Sequence, residues 1–406
     1  MKTLLSVWVL VLVCMTAITG CSPSSSDQSN AGGDGDDSPA TPVDANAAVP
    51  PADVQTVSVI ATLVANRNVP DEAVGIVLHG IFDDLKMFQS VHQRLKSVSL
   101  ATAESDLTIP MHPGATAFYA GETLTPSGDS HRYRISSGGQ TGVYYPTAGA
   151  IAAGAGRFNS AFELTVQTSG GSTANGRLVG NGDAEFAIMQ NDIAEYARTG
   201  TLMYKPKDGP GKPFDDLVGV AALYPEHVQI VALARSGIRS VADLAGKKVA
   251  IGDVGSGTEA NAIQILEAYG MTVDDLARAE RLGSTQSRDY LQDARVDAAF
   301  FTFGVGTASI KELAITQNIV FVPVDGEARD RLLAKYPSYK AAVIQAGAYR
   351  EAKGGSSSFV ESPAGAAGDV AEETGGLAAD AADAGADALD ELEDEELPAT
   401  SQPSDY

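Results

Sequence analysis

The 406-residue chain holds two cysteines, one tryptophan, and 28 basic side chains against 52 acidic ones. Cys14 and Cys21 both lie near the start, so the body has no thiol and no disulfide and must be held by its own core. A net charge of −24, with no basic patch to neutralise phosphates, argues against a nucleic-acid partner. The histidines, His79, His92, His112, His131 and His227, form no HxxxH pair and stand near no cysteine, so no metal site is expected. No GxSxG elbow and no compelling Ser–His–Asp order occur. The chain therefore reads as a non-enzyme without a cofactor.

What is present begins with a leader. Lys2 precedes an apolar run at 4–13, too short for a comfortable membrane span. Ile18-Thr19-Gly20-Cys21 resembles the lipobox of bacterial lipoproteins, which implies cleavage before Cys21 and lipid attached to it. Several acyl chains give stable anchoring. Residues 1–20 are thus expected to be a lipoprotein signal peptide. Residues 21–52, rich in Ser, Gly, Asp, Ala and Pro, are expected to be a lipidated flexible linker. The protein would be exported and lipid-anchored, facing periplasm or cell exterior. At the other end, residues 352–406 carry 14 Asp/Glu and Lys353, a net of 14 − 1 in magnitude and about half the chain's charge. They read as an acidic disordered tail, a solvated spacer rather than an interaction segment.

Between these ends runs a βα rhythm. Residues 54–66 are apolar and β-branched, ambiguous between strand and helix. Pro70 opens a helix whose Val74, Val77, Leu78, Ile81, Phe82 and Leu85 share one face. Strands are expected at 162–168, 184–189, 247–251, 297–301 and 319–324, and apolar runs at 217–223 and 228–234 flank Tyr224-Pro225-Glu226. Alternating β and α segments give mostly parallel sheets covered by helices, with ligands at the carboxyl ends of the strands.

Three polar, glycine-rich helix starts fall at such ends. In the first, Gly138 and Gly139 let the backbone approach a ligand, either Gln140 or Thr141 sits near the helix start, and Tyr144 and Tyr145 supply aromatic walls, one facing the ligand and the other packing inward. The second is Ser169-Gly170-Gly171-Ser172, with Asn175 following. The third is Gly255-Ser256-Gly257-Thr258, which lacks the lysine of a P-loop. Free N–H groups at such starts favour an anion or carboxylate. Each start taken alone also reads as a structural turn; together they suggest loops around one small polar ligand. Gln190 and Asn191 offer amides that donate and accept. Asp192 is a candidate for the cleft or for a helix cap, Tyr224 joins the candidates, Phe303 is either cleft wall or core, and Glu226 either reaches the cleft or is a surface loop charge.

The stretches GGQTGVYYP, TSGGSTANGRLVGNGDAEFAIMQND, LAGKKVAIGDVGSGTEANA and VDAAFFTFG, within residues 133–349, resemble the TAXI-type solute receptors of TRAP transporters. The resemblance implies an α/β, two-lobe periplasmic-binding-protein fold of type II, each lobe a mostly parallel sheet flanked by helices, with ligand in the interlobe cleft. It implies a monomer that captures a small carboxylate such as glutamate, glutamine or 2-oxoglutarate and delivers it to TRAP permease membrane subunits. A binding protein feeding a sensor kinase is the alternative, and an exported enzyme on the same scaffold a further one. Lobe 1 is expected over 53–222, lobe 2 over 223–326, with 327–351 returning to lobe 1. Residues 53–122 resemble the family's C-terminal region moved to the front, so the chain looks circularly permuted.

Overall fold

The computed structural model describes residues 47–124, 131–140, 142–206 and 210–350. The leader, Cys21, most of the linker, Thr141 and the acidic tail lie outside these residues.

Two long strands organise the molecule. β1 (Val54–Asn66) is β-branched at 54, 56, 57, 59, 60, 62 and 64, and buried along nearly its whole length. Those branched side chains fit a pleated surface covered on both sides and settle the ambiguity in favour of strand. Thirteen residues at about 3.3 Å each span roughly 40 Å, too long for one small lobe. Its antiparallel partner is β5 (Leu217–Leu233), paired from Asn66↔Leu217 to Ser58↔His227 with register slips at 61/62 and 63/64. The two apolar runs flanking Tyr224-Pro225-Glu226 are therefore one strand. Pro225, which has no N–H to give, stands opposite Ile60 where the strand passes between lobes.

In the first lobe β2 (His131–Ser136), β3 (Phe162–Gln167) and β4 (Phe186–Gln190) are parallel, in the order β3-β2-β4, and continue into antiparallel β1 and then β5. The second lobe repeats the pattern. There β6 (Lys248–Ala250), β7 (Arg278–Glu280) and β8 (Ala298–Phe303) are parallel in the order β7-β6-β8, next to antiparallel β5. β9 (Ile319–Val322) pairs the end of β5, and β10 (Lys340–Ile344) pairs the start of β1. Two lobes of repeated topology joined by shared strands make this the α/β two-lobe fold of type II periplasmic-binding proteins.

The helices cover both faces. Ala61, Leu63 and Ala65 of β1 enter a first-lobe core with α1 (Asp71–Phe82), α2 (Leu85–Ser90), α3 (Pro113–Tyr119) and α4 (Tyr144–Phe158). α1 and α4 cross without side chains between them: a Cβ on Gly154 would stand 2.0 Å from the Gly80 carbonyl oxygen. Val57, Val59 and Val64 enter a second core that runs beneath both lobes. It takes in α5 (Ser172–Asn181), α6 (Asn191–Thr199), α7 (Gly257–Ala268) and α10 (Gly326–Lys335). A third core lies against α8 (Ser284–Gln292) and α9 (Ala308–Thr316) of the second lobe.

Lobe boundaries differ from the sequence reading in two places. The first half of β1 belongs with the second lobe, because β10 pairs Val54 to Ser58. Residues 327–350 bridge the lobes: Tyr349 stacks on Phe321 and Tyr339 bonds α7, while Ser338 donates to Glu195 of α6 at 2.5 Å, Tyr336 packs edge-on against Tyr196 and Lys340 pairs with Asp106. The ends of the body meet there. Val49 N–H donates to Arg350 O at 2.6 Å, Tyr349 N–H to Val49 O at 2.9 Å, and Ala346 N–H to the Asp53 carboxylate at 2.9 Å. Among the described residues no helix is long and apolar enough to cross a membrane.

Candidate functional site

Parallel strands bring their carboxyl ends to one edge in each lobe, so the loops that open α4, α5, α6 and α7 share a neighbourhood. Gly171, at φ +102°, takes a backbone conformation that a side chain would strain, and lets the chain turn into α5. There the Thr173 N–H donates across the seam to Gly255 O at 3.1 Å. Ideal Cβ positions on Gly170 and Gly171 would contact the Val254 carbonyl at 3.2 Å and Ser256 at 3.5 Å. Two of the three glycine-rich helix starts, one from each lobe, therefore touch, and the lobes are shut upon each other.

Beneath this seam lies a buried polar set. Glu226, 3% exposed in β5, accepts a 2.7 Å hydrogen bond from the Tyr144 hydroxyl at the start of α4. The same hydroxyl lies 3.4 Å from Ser172 Oγ, which accepts from Gln190 N–H at 3.2 Å. The Gln190 side chain fills the space that a Cβ on Gly257 would occupy, at 2.1 Å from its Oε1. That Oε1 is buried without a hydrogen-bond partner. Burial pushes the Glu226 carboxyl up to about 8, opposed in part by the Tyr144 hydrogen bond and reinforced by Asp192. It pushes Tyr144 up as well.

A second network joins α6 to α7 across the lobes. Asn261 Nδ2 donates to Asp192 Oδ2 at 3.1 Å and to the Tyr339 hydroxyl at 2.5 Å, and that hydroxyl donates to Gln264 at 2.5 Å. Asp192 has no exposure, and burial raises it to about 7 against the hydrogen bonds that favour its charge. It stands in the first turn of α6 rather than at the cap, which is Gln190.

A strap from the first lobe closes another side. The 3-10 turn Gln93–Ser97 sends Gln93 Nε2 to Gly306 O at 3.0 Å, and Arg94 lies over Gly304, where a Cβ would meet its Cδ at 2.2 Å. Burial lowers the Arg94 guanidinium below its usual range. Burial, then the Arg94 charge, pushes His227 down to about 4, so it is neutral at pH 7.

Tyr144, Ser172, Gln190 and Gly257 are thus brought together, with Asp192 nearby. Gly170, Gly171 and Ser256 line the seam. Other candidates have structural work that leaves them little to give. Both Asn175 amide hydrogens go to Ser137 O (2.5 Å) and Ile188 O (2.7 Å), and its oxygen accepts from Ser136 and Ser169 hydroxyls at 2.7 and 2.6 Å. Ser169 is held in the same cluster and accepts from Gly171 N–H. Asn191 Oδ1 accepts from Ile60 N–H and Asp192 N–H, pinning α6 to β1. Ser256 caps α7 by accepting from Glu259 N–H at 3.1 Å. Gly139 and Gln140 are exposed, Tyr145 and Thr258 half-buried, and Phe303 is half-buried against Phe301. Tyr224 is buried in the first-lobe core, between the charges of Glu226 and Arg94. Arg94 was not legible as a site residue; the glycines at 304 and 306 that admit it were its one trace. A groove of about 370 Å³ on the seam, among Thr173, Arg177, Met203, Val254, Glu259 and Ile263, includes none of the buried set. Among the described residues no group of three or more His, Cys, Asp or Glu could hold a metal ion.

The NMT1-like family matches residues 41–122 and 135–356. The chain belongs to the NMT1-like family. Among solved structures, this NMT1-like chain is similar to the alkanesulfonate-binding protein SsuA from Xanthomonas axonopodis pv. citri bound to MOPS, at 15% identity over 48% of this chain and 61% of that one, with a TM-score of 0.33. It is similar to a binding protein component of an ABC phosphonate transporter from Pseudomonas aeruginosa, at 12% identity over 53% and 82%, TM-score 0.32. An ancestral arginine-binding protein bound to arginine is similar at 15% over 51% and 94%, TM-score 0.29. The chain spans about three fifths of the length of the first of these.

Proposed function

We propose that this NMT1-like protein is a lipid-anchored, extracytoplasmic solute-binding receptor of the TAXI type, which captures a small carboxylate and delivers it to the membrane subunits of a TRAP permease. The observation that carries this reading is the buried polar set of Tyr144, Ser172, Gln190 and Glu226, roofed by a helix start from each lobe. A small polar solute would be enclosed there, and the shared strands β1 and β5 would bend as the lobes part. The N–H groups at the starts of α5 and α7 would meet the carboxylate, with helix dipoles adding positive potential. The lipobox motif supports anchoring through Cys21. The meeting of Val49 with Arg350 supports a permuted order, since it makes the body's chain ends neighbours.

Titration calorimetry of the mature chain against glutamate, glutamine, 2-oxoglutarate and other dicarboxylates tests the reading. Saturable binding to at least one is expected; folded protein that binds none would refute a carboxylate receptor. Labelling with a fatty-acid analogue, lost in a Cys21→Ala variant, checks the anchor separately.

A further inference from the structure

The buried set is lopsided in its hydrogen-bonding character. Glu226 receives one donor, the Tyr144 hydroxyl, and no Lys, Arg or His forms an ion pair with it among the described residues. Gln190, 2% exposed, keeps an unpartnered Oε1, and Asp192, wholly buried, an unpartnered Oδ1. These acceptors come from three elements, β5, β4 and α6. Gln190 and Glu226 are tied together by the chain of contacts from Gln190 N–H through Ser172 and Tyr144, and Asp192 acts on Glu226 through its charge. Burying acceptors without donors is costly, and because a buried carboxylate without a cation costs more still, Glu226 holds a proton when no cation is beside it. What the cluster lacks is a positively charged donor.

We infer that Glu226 and Gln190 form a subsite for a protonated amine of the ligand, so that the cleft selects amine-bearing solutes over their oxo or plain dicarboxylate counterparts. This rests on the solute-receptor reading and narrows it. The ammonium hydrogens go to Glu226 and to Gln190 Oε1, with Tyr144 holding the Glu226 carboxylate in place. The groups that face Glu226 are Tyr144 from α4, Tyr224 from β5 and Asp192 from α6; His227, next in the strand, is neutral, and Arg94 acts on Tyr224 and His227. In the empty cleft Glu226 keeps its proton up to about pH 8. An ammonium beside it favours the carboxylate, so at neutral pH the Glu226 proton leaves to solvent as the amine binds. Affinity for an amine therefore rises with pH between 6 and 8, by up to about tenfold per unit for one proton released. A ligand placing a carboxylate against Glu226 would need the proton retained, and would bind no better as pH rises.

The experiment is calorimetry of the mature chain with L-glutamate and 2-oxoglutarate, which share a skeleton and differ in amine against ketone, and with putrescine and ethanolamine, which carry no carboxylate. Each is run at pH 6, 7 and 8 in buffers of different ionisation enthalpy, with the wild type and Glu226→Gln, whose fold is checked by circular dichroism. Expected are a glutamate preference of at least tenfold at pH 8, proton release on binding, and loss of both in Glu226→Gln. If 2-oxoglutarate binds as well as glutamate, or Glu226→Gln keeps the preference, the amine subsite is overturned while the carboxylate receptor stands. Binding of putrescine or ethanolamine alone, lost in Glu226→Gln, upholds the subsite and removes the carboxylate. If no amine-bearing probe binds, the subsite is overturned.

Discussion

Replacing Asn175 by alanine should damage the fold far more than the binding site. Its side chain is wholly buried, and all four of its hydrogen-bonding positions are filled from within the first lobe. Truncation leaves the carbonyls of Ser137 and Ile188 without those donors, at the point where β2, β4 and the start of α5 are joined. A net loss of about 1 kcal/mol per bond sums to about 4 kcal/mol. The Ser169 hydroxyl still has Ser137 O at 3.1 Å, which recovers part of this, so roughly 3 kcal/mol is expected. Urea denaturation of the ligand-free protein measures it, and an Asn175→Asp variant separates donors from acceptors, since it keeps the acceptor and loses both donors. Variant that remains folded should bind solute within a few-fold of wild type. A stability loss under about 1 kcal/mol, or an affinity loss larger than the stability loss, would refute the clamp and return Asn175 to the ligand site.

Gly154→Ala should destabilise by about 1–3 kcal/mol despite alanine's better helix propensity, because the new methyl meets the Gly80 carbonyl and drives α1 from α4; a variant as stable as wild type in urea would contradict that crossing. Ligand-free stability should fall as pH rises from about 6.5 to 8 and level off above, whereas below 6.5 the unfolded chain protonates histidines that burial keeps neutral in the fold, His227 above all, and this opposes the decline. Folded Glu226 and Asp192 hold protons to about pH 8 and 7 that the unfolded chain gives up near its ordinary carboxylate values, so the folded state binds more protons in this window. Melting temperatures across pH 5–9 test this, and Glu226→Gln should flatten the upper part of the decline. Gly257→Val pushes the flexible Gln190 amide out of its position, so solute affinity should drop roughly tenfold while melting temperature changes little; the reverse pattern would make Gly257 a packing residue only.

The fold was legible because its periodic signals are local. The face of α1 from Val74 to Ile81 and the alternation of β and α segments stand in the sequence as they stand in space, although Leu85, read on the same helix, opens α2. The continuity of β5 was not, because Pro225 reads as a break unless a partner strand is known to lie beside it. The bridging place of residues 327–350 was hidden for the same reason: β10 is placed by pairing with Val54–Ser58, almost three hundred residues away. The candidate site was legible in two of its three glycine-rich stretches, which meet at the seam, and less so in its polar groups. Asn175, Asn191 and Ser169 carry the chemistry of ligand contacts, and only the positions of Ser136, Ile188 and Ile60 reveal that their valences are spent internally. Glu226 has no motif around it, and its importance arises from burial opposite Tyr144.

The pairing of Val49 with Arg350 has a practical reach. Both ends of the body leave it at one spot, on the second lobe. A surface attachment through either end would hold the molecule at the same point and present the same outer face to solution. A pair of dyes at residues 47 and 350 would ride together on one lobe and report nothing of closure. A pair split between one of those positions and exposed Phe158 at the end of α4 would span the two lobes and test whether they part on ligand release.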